Sequence, residues 1–131
     1  MAGDQVIRIV IIEDNKVFRE ALELLLGLRS DLVVVASVSD GEEVVPTCRK
    51  YNPDVALMDY RLPGLDGIEA TRALKQACPG VAVVALTASA NRDEMKALRE
   101  AGAVACLTKD SELEEIVRAI RDASLRGASF V

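Results

Sequence analysis

The chain has 131 residues, half of them hydrophobic, which is enough for one domain with a core of its own and without disulfide or metal staples. Its net charge of -5, from 16 basic against 21 acidic side chains, lacks the positive excess that phosphate-backbone binding exploits, so no direct nucleic-acid binding is expected. The absence of histidine removes imidazole bases, most zinc sites and Ser-His-Asp triads, leaving carboxylates, hydroxyls, thiols and lysines as reactive groups.

Short apolar runs alternate with amphipathic stretches along the chain. Val6 to Ile12 is followed by Glu13-Asp14 and then by Val17, Ala21, Leu24, Leu25 and Leu28, whose helical spacing predicts a helix that buries this face. Leu32 to Val38 leads to Asp40 with Glu43 three places on, a helix start. Pro46 then removes an amide donor inside the predicted helix, which should be short or kinked. Val55 to Met58 ends in Asp59, and Leu62-Pro63-Gly64 forms a turn ahead of a helix opened by Asp66 and Glu69. Val81 to Leu86 ends in Thr87, ahead of a helix over 91–101 opened by Asn91 and Glu94. Val104 to Leu107 ends in Thr108-Lys109. Ser111 with Glu114 is a strict capping box for a last helix over 111–126, with apolar spacing at Leu113, Ile116, Val117 and Ile120.

Near-continuous apolarity of the runs predicts strands buried on both faces, and strict alternation predicts an α/β fold: one doubly wound, five-stranded parallel sheet of order 2-1-3-4-5, flavodoxin-like, with five helices. No internal domain boundary is visible over 1–131. No apolar run approaches the roughly 20 residues that span a bilayer, and Met1-Ala2-Gly3-Asp4-Gln5 lacks a secretory pattern. Cys48, Cys78 and Cys106 are odd in number and without CxxC spacing, as expected of reduced thiols in the cytoplasm; Cys48 and Cys106 should be buried.

Doubly wound sheets bind ligands at the carboxyl ends of their strands. There the sequence places Glu13, Asp14 and Asp59 with Thr87 and Lys109. Three neighbouring carboxylates repel unless a divalent cation or a lysine offsets their charge, and Mg2+, a hard ion that prefers oxygen ligands, fits best. Asp59 could then act as a nucleophile toward phosphorus, with Lys109 and the metal neutralising the phosphoryl oxygens and Thr87 donating a hydrogen bond. Singly, each residue has an ordinary use: Asp14 as a helix cap, Asp59 as the start of a turn, Thr87 as a strand end, Lys109 as a solvated charge. Their coincidence at one end of one sheet points to chemistry.

Glu13-Asp14-Asn15, the segment Met58-Asp59-Tyr60-Arg61-Leu62-Pro63-Gly64-Leu65-Asp66-Gly67, Leu86-Thr87-Ala88, and Gly102-Ala103 leading into Leu107-Thr108-Lys109 resemble the receiver domains of bacterial two-component response regulators over essentially the whole chain. The 2-1-3-4-5 order is shared with that family, so the two expectations are not independent. The resemblance implies Asp59 as phosphoacceptor from a sensor histidine kinase, and a Mg2+ site made by Asp14, Asp59, the Arg61 backbone carbonyl and, through water, Glu13. It implies Thr87 as switch hydroxyl, Lys109 as phosphoryl-binding cation, Ala88 as the small neighbour, and Arg61 and Ser89 as positions that tune phosphoryl lifetime. The protein would be a signalling switch with no turnover beyond its own phosphorylation and dephosphorylation. Phosphorylation would alter the surface of helix 4, strand 5 and helix 5, controlling a homodimer or an output domain. Lys109-Asp110-Ser111, Ala119-Ile120-Arg121 and Gly127 resemble the NarL/LuxR-type subgroup, in which a C-terminal helix-turn-helix absent from this chain binds DNA.

Two positions depart from the family. Asp110 stands where a proline commonly follows the lysine, and Cys106 stands where a switch aromatic is usual, so a rotating Tyr or Phe cannot couple to Thr87. Rival readings are weaker. Glu13-Asp14 would repel a flavin or nucleotide phosphate, and a phosphohydrolase would carry a second carboxylate where Arg61 stands. A phosphorylation-independent interaction module on the same fold is the main alternative, favoured by Cys106.

Overall fold

A computed structural model describes residues 5–88 and 91–128. Strands β1 (Ile7–Ile12), β2 (Leu32–Val38), β3 (Val55–Asp59), β4 (Ala82–Thr87) and β5 (Ala105–Thr108) alternate with helices α1 (Lys16–Gly27), α2 (Val44–Tyr51), α3 (Gly67–Ala77), α4 (Arg92–Ala101) and α5 (Leu113–Ala128). All strand pairs are parallel, in the order β2-β1-β3-β4-β5. The expected doubly wound fold is therefore the one adopted.

Successive side chains of a strand point to opposite faces, and the core divides accordingly. On one face Ile9, Ile11, Val55, Leu57, Val84 and Leu86 pack against Leu22 and Leu26 of α1 and Ile116, Val117 and Ile120 of α5. On the other, Val10, Ile12, Ala56, Met58, Val83 and Ala85 meet Val44 and Cys48 of α2, Ala70 and Leu74 of α3 and Leu98 of α4. β3 and β4 are buried throughout, whereas the edge strands β2 and β5 are only partly covered.

Helix α1 turns the other way from the sequence expectation. Phe18, Leu22 and Leu26 meet the sheet, while Val17, Ala21, Leu24 and Leu28 face solvent, Val17 and Leu28 being 78% and 74% exposed. The helix carries two apolar stripes, and periodicity cannot rank them. The start of the helix decides: Asn15 accepts the Phe18 amide at 2.9 Å, and the Arg19 guanidinium donates to the Glu13 carbonyl at 2.8 Å, which sets the rotation of the first turn.

Pro46 is accommodated without a break. A 3-10 turn over Gly41–Glu43 precedes α2, so Pro46 is the third residue of an eight-residue helix, where amides lack intrahelical partners anyway. The helix is short, as expected. At α5 the anticipated Ser111–Glu114 box does not form. Ser111 belongs to the turn that leaves β5, its amide donating to the Thr108 carbonyl at 3.0 Å, and Glu114 pairs with Arg29 at 2.6 Å. One residue later, Glu115 Oε1 accepts the Glu112 amide at 3.2 Å and does the work of the missing box.

Thr71 on α3 is fully buried, and its hydroxyl has no hydrogen-bond partner. An unsatisfied buried hydroxyl costs about 1 kcal/mol or more. Thr71→Val, close in shape, is expected to raise the urea midpoint by the equivalent of about 1 kcal/mol; a lower midpoint would show that the hydroxyl is satisfied in solution.

Candidate functional site

Parallel register brings the strand ends level. Ile12 pairs with Met58, Asp59 with Leu86 and Thr87 with Thr108. Backbone bonds carry the pairing one step further, from Glu13 N to Val38 O (3.0 Å), Tyr60 N to Leu86 O (3.2 Å) and Lys109 N to Thr87 O (2.8 Å). Glu13, Asp59, Thr87 and Lys109 thus leave the sheet at one rim. Among the described residues, Glu13, Asp59 and Thr87 are three of the four buried polar or charged ones, at 2%, 4% and 1% exposure.

The Lys109 ammonium bridges two carboxylates, lying 2.9 Å from Glu13 Oε1 and 3.2 Å from Asp59 Oδ2. The Phe18 ring flanks it, 5.0 Å from Nζ to the ring centre. Glu13 Oε2 also accepts the Asn15 amide at 3.0 Å, and Asp59 Oδ1 accepts the Arg61 amide at 3.3 Å. Asp14 is exposed, and one carboxylate oxygen each from Glu13, Asp14 and Asp59 lie within 4.8 Å of one another.

Burial, then the neighbouring Glu13 charge, push the Asp59 carboxyl up to about 6, against the pull of Lys109 and the Arg61 amide. For Lys109, burial acts to lower the pKa but is outweighed by the hydrogen bonds and charges of Glu13 and Asp59, which hold it above the ordinary lysine value. One ammonium therefore serves two buried carboxylates and does not fully relieve them. Hard oxygen donors converging from β1 and β3, with residual negative charge, match the coordination demands of Mg2+.

Beside Asp14 a cleft of about 580 Å³ is lined by Tyr60, Arg61, Leu62, Pro63 and Asp66. Arg61 and Ala88 are exposed at this rim. Ser89 lies outside the described residues, as do Ser129, Phe130 and Val131. Cys106 is apart from the site: it is buried in β5 toward α4, its thiol 3.7 Å from the Met95 carbonyl. Burial pushes the Cys106 thiol up, and that of Cys48 to about 12, so neither is a poised nucleophile. Cys48, Cys78 and Cys106 are all free thiols. The described residues contain no cis peptide, so the chain passes Lys109-Asp110 in the trans form, and the Thr108 hydroxyl bonds the Asp110 carboxylate.

Sequence reasoning quoted Asn15 within the first motif without its capping role, and did not find Phe18 and Arg19 as neighbours of the site. Asn15 rather than Asp14 caps α1, which leaves the Asp14 carboxylate to the cluster. Only their position in the first helical turn after Glu13-Asp14 could have signalled it.

Residues 9–121 match the family model of the response regulator receiver domain. The transcriptional regulatory protein DegU of Brevibacillus brevis is 37% identical over 122 residues, 93% of this chain and 52% of that protein. The transcriptional regulatory protein LiaR of Bacillus subtilis (strain 168) is 37% identical over 118 residues, 90% of this chain and 56% of that protein. The chain thus spans about half the length of the curated relatives it matches. The crystal structure of a LuxR-family two-component response regulator from Aurantimonas sp. SI85-9A1 superposes with a TM-score of 0.87 at 32% identity, covering 92% of this chain and 86% of that one. With the family model spanning residues 9–121 and relatives 37% identical over most of its length, the chain belongs to the receiver-domain family of two-component response regulators, with LuxR-type regulators among its kin.

Proposed function

We propose that this domain accepts a phosphoryl group on Asp59 from the phosphohistidine of a sensor kinase. The observation that carries the reading is the buried Glu13–Lys109–Asp59 bridge beside Asp14. An Asp59 carboxylate oxygen bonds to phosphorus as the phosphorus–nitrogen bond breaks, and the imidazole keeps the electron pair. Asp14, Asp59 and the Arg61 carbonyl would hold Mg2+, with Glu13 acting through water; the ion supplies charge neutralisation for the phosphoryl oxygens. Lys109 then turns from bridging carboxylates to binding a phosphoryl oxygen, and the Thr87 hydroxyl donates to another. Ala88 leaves room for the group, while Arg61 and Ser89 set how readily water reaches it.

The added charge of about -1.5 to -2 shifts the exposed faces of α4, β5 and α5. That surface would control a homodimer or a C-terminal helix-turn-helix that binds DNA, a reading supported by relatives named as transcriptional regulatory proteins, of which this chain spans about half. The setting would be the cytoplasm. With Cys106 in place of an aromatic, the shift runs through backbone and helix movement. Cys106 also supports a second reading, a receiver-like module that binds partners without phosphorylation.

Intact mass after incubation with Mg2+ and acetyl phosphate separates the two. Wild type is expected to gain one phosphoryl group and Asp59→Asn none. No adduct on wild type, together with no Mg2+ binding by calorimetry, would favour the interaction module.

A further inference from the structure

Two turns meet backbone to backbone next to the acidic rim. The Gly41 amide donates to the Pro63 carbonyl at 3.0 Å, and a Cβ on Gly41 would lie 1.8 Å from the Leu65 carbonyl oxygen. No side chain fits there without moving one backbone away from the other. Opposite, Gly64 adopts φ +77, the left-handed region that favours glycine, and a Cβ on it would meet Glu42 Cγ at 3.0 Å. The first turn is itself tightly wound, since Asp40 Oδ1 accepts the Glu42 and Glu43 amides at 2.8 and 3.2 Å. The second turn is the segment from Tyr60 to Asp66 that carries Arg61 and walls the cleft beside Asp14. At its far end the Gly67 amide donates to the Tyr60 carbonyl at 2.7 Å, and a Cβ on Gly67 would lie 2.6 Å from the Asp59 carbonyl oxygen.

The loop after Asp59 is therefore tied at its base by Gly67 and at its apex by Gly41. We infer that the Gly41–Pro63 clasp positions this loop for cation binding, keeping the Arg61 backbone beside Asp59, where its amide already bonds Oδ1 at 3.3 Å. Gly41 and Gly64 are positioning residues that touch neither cation nor phosphoryl group. Binding a small ion requires its oxygen donors to be held to a few tenths of an ångström, and a loop with a free apex would pay that ordering entropy on each binding event. The inference rests on the proposed Mg2+-dependent phosphorylation.

The test is Mg2+ titration of folded wild type and Gly41→Ala by calorimetry, with adduct formation from acetyl phosphate followed over a range of Mg2+. Gly41→Ala is expected to bind Mg2+ on the order of tenfold more weakly, as loss of support for metal ligands commonly produces, while its adduct yield approaches wild type at saturating Mg2+. A purely structural glycine would instead lower the thermal midpoint and leave the affinity of the folded protein unchanged, and that result overturns the inference. Should Gly41→Ala fail to fold, Gly64→Ala decides: its Cβ presses the flexible Glu42 side chain and its φ of +77 strains any alanine, loosening the same turn, so the same direction of change, several-fold, is expected. Unchanged affinity in that variant overturns the clasp. A wild type that neither binds Mg2+ nor forms the adduct overturns the functional reading itself, and the clasp with it.

Discussion

Lys109→Met is expected to lower the stability of the metal-free protein at pH 7 by about 3 kcal/mol, the usual cost of removing one partner from a buried charge pair. Glu13 and Asp59 are almost wholly enclosed, and Lys109 bonds both. Methionine keeps the aliphatic stem beside Phe18, so the deficit reports lost charge rather than lost packing. Urea unfolding in EDTA measures it, and the same variant should regain stability on acidification as Asp59 takes up a proton. A loss under about 0.5 kcal/mol, the scale of an exposed ion pair, would mean that water screens the site far more than its burial indicates.

Metal-free wild type should itself become more stable as the pH falls from 7 toward 4. Asp59 has a folded pKa of about 6, above its ordinary value of 3.8. A carboxyl raised on folding contributes stability that is complete below the unfolded pKa and is lost as pH rises through the folded one. At 1.36 kcal/mol per unit, the span between the two values sets an upper limit of about 3 kcal/mol. Side-chain hydrogen bonds from Arg121 and Arg29 hold Asp31 and Glu114 below their ordinary values; these groups act in the opposite sense, losing stability only as the pH falls through and below the ordinary carboxylate range. From pH 7 down to about 5 the slope therefore belongs to Asp59, and below that Glu114 begins to oppose it. Urea midpoints in EDTA should show the slope, Asp59→Asn should abolish it, and saturating Mg2+ should flatten it. A flat wild-type profile in EDTA would place the Asp59 carboxyl at its ordinary pKa.

Much of this arrangement was legible in the sequence because strand ends obey a simple rule. Once Val55 to Met58 and Val81 to Leu86 are read as parallel strands, Asp59 and Thr87 must stand at the same rim, and the register places them there. What the sequence hid was rotational. Helix α1 has apolar residues on two sides, and only the Asn15 cap and the Arg19 bond to the Glu13 carbonyl choose between them. The shift of the α5 cap from Ser111 to Glu112 has a similar cause: Ser111 is taken up by the turn after Lys109, and Arg29, distant in sequence, claims Glu114. The two-carboxylate bridge by Lys109 was foreseeable as charge balance. The Gly41–Pro63 contact was not, since nothing in the alternation of strands and helices says which turns will touch.

At the opposite rim of the sheet, Asp54 accepts the Arg8 amide at 2.8 Å through its carboxylate and the Ala82 amide at 3.0 Å through its carbonyl, and the Arg8 guanidinium bonds the Tyr51 carbonyl. That knot ties the entrances of β1, β3 and β4 a full strand length away from the acidic rim. The two rims are therefore held by separate sets of bonds. A substitution at Glu13, Asp59 or Lys109 removes no bond of the entrance knot, and one at Arg8 or Asp54 removes none at the acidic rim. Each rim can thus be altered while the hydrogen bonds that hold the other stay in place.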